Sequence, residues 1–119
     1  MVKKLILATF AVTLAIGGAG LLSAAETSTV TGHLRDGFCY TMMGAHGASH
    51  HACAVKCAKA GIPVMLVQDK TEKGYILLPP KDASALPADV IDKMEQEVTL
   101  TGHEFTKNGI SYFQVESVK

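Results

Sequence analysis

The chain has 119 residues, with eleven basic side chains balanced by eleven acidic ones, five histidines and three cysteines. Beyond position 25, nine basic residues face eleven acidic ones, and its six aromatic residues sit in no basic run that could track a phosphate backbone, so nucleic-acid binding is not expected. Those roughly 94 residues have room for one hydrophobic core and no second.

The opening MVKKLILATFAVTLAIGGAGLLSAA places Lys3 and Lys4 before an apolar run and ends in Ser23, Ala24 and Ala25. That is the pattern of a secretory signal peptide over residues 1–25, cleaved after Ala25. Leu5 to Leu22 is only as long as the shortest membrane-spanning helices, and its glycines favour cleavage over a retained anchor. No cysteine stands at the cleavage point to carry a lipid. The expected product is a single domain, residues 26–119, periplasmic or secreted, with no stable membrane span.

In STVTGHLRDGFCY, Val30, Gly32, Leu34 and Asp36 alternate with Thr31, His33 and Arg35, which predicts a first strand, bulged at Gly32. MMGAHGASHHACAVKCAKAGIP follows. Its end is well marked by Lys59, by Gly61 as a left-handed cap and by Pro63, while Ser49 is a good N-cap, so a helix is predicted from about His50 to Ala60. Two short apolar runs, Val64 to Gln68 and Tyr75 to Leu78, then make a hairpin around a charged turn. Pro87 opens a short helix over Ala88 to Glu95. Two alternating strands flank Asn108-Gly109, a strong hairpin-turn dipeptide.

Five strands with a helix between the third and fourth predict a mainly β domain with two short helices, a small OB-like barrel. The His/Cys helix is then an insertion between strands 1 and 2. An α+β meander is the alternative. Thr31-Gly32-His33 recurs as Thr101-Gly102-His103, and two exposed strand histidines beside β-bulges explain the echo better than a paired site.

On the predicted helix His50, Cys53 and Cys57 fall at i, i+3 and i+7, on one face. His46 would join them from one turn earlier, whereas His51 points elsewhere. Cys53 and Cys57 are poor disulfide partners, because helical Cβ atoms four apart stand roughly 5–6 Å from each other and a relaxed disulfide wants about 3.8 Å. Cys39 could bridge to either in an oxidising compartment, stabilising by about 3 kcal/mol, but one thiol is then left over. Three thiols with neighbouring imidazoles suit a transition metal ion, zinc or copper(I), with Cys39, His50, Cys53 and Cys57 as ligands and His46 and His51 as substitutes. Met42 and Met43 would tilt the choice toward copper(I) if either points inward, though methionine is usually core filler.

The spacing matches neither the paired CxxC of zinc ribbons nor the CxxCH of haem attachment. A periplasmic thiol redox protein using Cys53 is a weaker alternative without CxxC. The main competing reading is an OB-like structural or interaction module stapled through a Cys39 disulfide. Hydrolysis has no identifiable nucleophile, base and acid, and an open zinc site with Asp36 as base is not favoured over binding.

The run DGFC followed by histidines, then HHACAVKCAKAGIPV, GYILLP and VTLTGH, resembles a group of small exported bacterial proteins with an OB-like barrel. The shared pattern picks out Asp36, Cys39, His50 or His51, Cys53, Cys57, Gly61 and Pro63. The resemblance implies a fold and an exported location more firmly than an activity. The expected partner is a metal ion; a protein partner is not legible.

Overall fold

A computed structural model describes residues 26–119; the signal-peptide reading falls on residues outside that range. Five strands, β1 (Ser28–Asp36), β2 (Val64–Val67), β3 (Gly74–Leu78), β4 (Glu97–Lys107) and β5 (Ile110–Val118), close into a barrel in the order β1-β2-β3-β5-β4. β3 and β5 pair in parallel and every other neighbour is antiparallel, and closure leaves no free sheet edge. Three short helices, α1 (Cys39–Met43), α2 (His51–Lys59) and α3 (Ala88–Ile91), accompany them among the described residues. The predicted barrel with its helical insertion between β1 and β2 is present. The insertion carries one more helix than expected.

Alternation along β1 turns Val30, Gly32, Leu34 and Asp36 inward. Val30 and Leu34 join Leu66, Leu100, Phe113 and Val115 in the core, and Val90 and Met94 add to it from α3 and the turn after it. Ala54 of α2 also reaches this core, so the insertion is packed on the barrel against β1 and α3. Asp36 is an acidic side chain at the end of an otherwise apolar row.

Asn108 and Gly109 both take positive φ, as a two-residue hairpin between Lys107 and Ile110 requires. The bulge predicted at Gly32 is absent: β1 runs in unbroken register past it, and the register shift lies at Thr101/Gly102 instead. Both glycines nevertheless have one role. A Cβ at Gly32 would stand 2.5 Å from the Val67 carbonyl oxygen, and one at Gly102 would collide with that of Gln114. The repeated Thr-Gly-His thus marks two places where strands approach too closely for a side chain.

Helix boundaries also depart from expectation. Ser49 does not cap α2; Ala48–His50 forms a 3-10 turn leading into a helix that starts at His51. The His50 N–H donates to the Gly47 carbonyl at 2.9 Å and its ring is drawn to Asp36, which tightens this entry. At the other end the Ile62 N–H reaches the Cys57 carbonyl and the Gly61 N–H that of Ala58, with Gly61 at φ +92°. This is a Schellman cap at the predicted place. α3 is shorter than predicted, because beyond Ile91 the chain makes tighter turns and leaves through Glu95 at φ +68°.

Candidate metal centre

Hydrogen bonds tie the insertion to the barrel at its ends and along its length. The Gly37 N–H donates to the Pro63 carbonyl at 2.8 Å, so the chain leaving β1 touches the chain entering β2. A Cβ on Gly37 would come within 2.8 Å of that oxygen. Glu95 Oε2 takes the Gly47 N–H (2.8 Å) and Arg35 Nη1 (2.6 Å), pinning the middle of the loop. The His51 Nδ1–H donates to the Met94 carbonyl at 2.6 Å, holding the start of α2.

This folding-back brings Cys39, at the start of α1, over the face of α2 that carries Cys53 and Cys57. The three sulfurs lie within 4.8 Å of one another, with Cys39 buried, Cys57 partly buried and Cys53 exposed. All three are free thiols, and no disulfide joins them. The cluster therefore runs from the protein interior to solvent.

Asp36 lies behind the sulfurs with no exposed surface. Its Oδ1 accepts the Cys39 N–H at 2.7 Å and its Oδ2 accepts Nε2–H of His50 at 2.7 Å. Burial pushes the Asp36 carboxyl up, but bonds from the Cys39 backbone and thiol and from His50 outweigh it and leave it below its ordinary value. The Cys39 thiol is pushed up to about 12, first by burial and then by the Asp36 carboxylate and the neighbouring sulfurs. Burial, then Asp36 and Cys53, also raises Cys57.

His50 forms a second group with Asp36 and Cys39, likewise within 4.8 Å, but does not share the sphere of Cys53 and Cys57. Cys39 belongs to both groups. His46 and His51 belong to neither: the His46 Nδ1–H donates to the Gly44 carbonyl at 2.7 Å and the ring lies edge-on to Tyr40, while His51 is occupied with Met94. Met42 and Met43 are not core filler, being 68% and 65% exposed.

The sequence places Asp36 in the alternating row of β1 and in the shared motif, and offers it as a base near an open zinc site; its bonds to the Cys39 N–H and to His50 come only with the fold. His33, read from sequence only as a strand histidine, meets Asp69 and Glu97, which the sequence did not single out, with ligating atoms within 4.8 Å on the barrel surface. His33 opposes Glu97 across β1 and β4 and meets Asp69 at 2.7 Å. Asp69 and Glu97 are exposed and His33 is partly buried. The histidine of the echo, His103, meets Glu116 at 2.8 Å, so each strand histidine has its own acid.

Among the described residues no helix is long and apolar enough to cross a membrane. Comparison with protein families, with curated proteins and with solved structures returns no match.

Proposed function

We propose that this chain is a small exported protein that binds a thiophilic metal ion through Cys39, Cys53 and Cys57. The observation that carries the reading is the convergence of all three sulfurs from two separate helices. Soft thiolates select copper(I) and zinc among common ions. Zinc would need a fourth donor, which His50 supplies by turning from Asp36, or solvent supplies at the exposed Cys53 side.

Export rests on the amino-terminal signal pattern and on the resemblance to small exported bacterial barrels. Fractionation of cells making the full chain is expected to place it outside the cytoplasm with residues 1–25 removed. For the site, reduced protein is titrated with zinc and, separately, with copper(I), and read by native mass spectrometry. One ion per chain is expected. A chain in which all three cysteines are changed to serine should bind none, and retention of binding there would sink the proposal.

A further inference from the structure

The number of donors, the charge beside them and their graded exposure say more about the ligand. Three sulfurs share one sphere, while among the described residues no histidine, aspartate or glutamate shares it with all of them. His50, which meets Cys39 in a separate group, is bonded to Asp36. Such a cluster is complete for an element whose valence is satisfied by three sulfurs.

Charge narrows the class. Three thiolates around a monovalent ion leave two negative charges, and around a divalent ion one. The Asp36 carboxylate is fully buried, accepts the Cys39 N–H at 2.7 Å and lies within 4.8 Å of the Cys39 sulfur. Added negative charge beside a buried anion is unfavourable, since little water is present to screen it. A trivalent centre with three sulfurs is neutral.

Resting on the reading of this cluster as a thiophilic site, we propose that Cys39, Cys53 and Cys57 together bind trivalent arsenic, taken up as arsenous acid. The uncharged hydroxide meets the exposed Cys53 first and passes inward to Cys57 and Cys39. At each sulfur an S–H and an As–O bond break and an As–S bond forms. The thiol proton leaves on the hydroxyl as water, so three waters depart and no electrons are transferred. Asp36 keeps its charge and its hydrogen bonds from Cys39 and His50. Trivalent antimony has the same valence and belongs to the same ligand class.

The test is titration of the reduced full-length chain with sodium arsenite, read by native mass spectrometry and by thiol counting. The expected result is one arsenic per chain with three hydrogens lost, and titratable thiols falling from three to none. An adduct that keeps a hydroxyl and spares one thiol would overturn the inference, as would no adduct at all. Zinc and copper(I) titrations run in parallel separate the two levels. If either ion binds while arsenite does not, the thiophilic site stands and the arsenic assignment falls; if nothing binds, both fall. Each single Cys→Ser variant, checked for native circular dichroism, keeps two thiols and should bind arsenite far more weakly than the parent, and undiminished arsenite affinity in any folded variant also overturns the assignment.

Discussion

Asp36 is the residue on which the site turns, since one buried carboxylate positions the Cys39 backbone and the His50 ring together. Asp36→Asn keeps the shape but offers His50 a donor in place of one acceptor, so a buried group loses its partner. A destabilisation of about 1–3 kcal/mol is expected by urea unfolding. The sign of its pH dependence follows from the lowered native carboxyl: its contribution is full above the ordinary value of 3.8 and is lost as pH falls through the native value. Acid melting curves of the parent should therefore drop more steeply than those of Asp36→Asn. Cys39, buried and pushed up to about 12, is held as a neutral thiol. Alkylation by iodoacetamide at neutral pH, followed by peptide mass spectrometry, should label exposed Cys53 first and Cys39 last.

Among the elements, α2 shows how a correct pattern can carry a shifted boundary. Its carboxyl-terminal cap is local, made by Gly61 and residues within a few positions, and was readable. Its start is set by Asp36, fourteen residues away from His50, and by Met94, forty-three from His51. Because Ser49 makes no capping bond, Ser49→Ala should change the melting midpoint little, within about 0.5 kcal/mol. A functioning cap would cost about 1 kcal/mol on removal. The strands give the opposite contrast. Gly102→Ala would drive a Cβ into the Gln114 carbonyl at the β4–β5 bulge, and a loss of about 1–3 kcal/mol is expected on unfolding.

For the whole molecule, the insertion is held by polar pins rather than by a covalent staple. Glu95 is the central one: its side chain is almost wholly buried, bonds both Arg35 and the Gly47 N–H, and sits at the exit from α3. Among the described residues Arg35 Nε and Glu95 Oε1 find no hydrogen-bond partner, so the pair rests on a single 2.6 Å contact. Glu95→Ala should cost roughly 3–5 kcal/mol by leaving Arg35 uncompensated. It should also release residues 44–50, seen as faster amide exchange at Gly47. The sequence by itself determined the five strands, their hairpins, the place of the insertion and the helix face shared by Cys53 and Cys57, because alternation, glycine-bearing turns and helical spacing are short-range properties. The 4.8 Å meeting of Cys39 with those two sulfurs, the turning of His50 toward Asp36 and the engagement of His51 by Met94 were decided only by tertiary structure. Each depends on where barrel closure places β1 and the end of α3 relative to the folded-back insertion, a long-range geometry that no local spacing encodes.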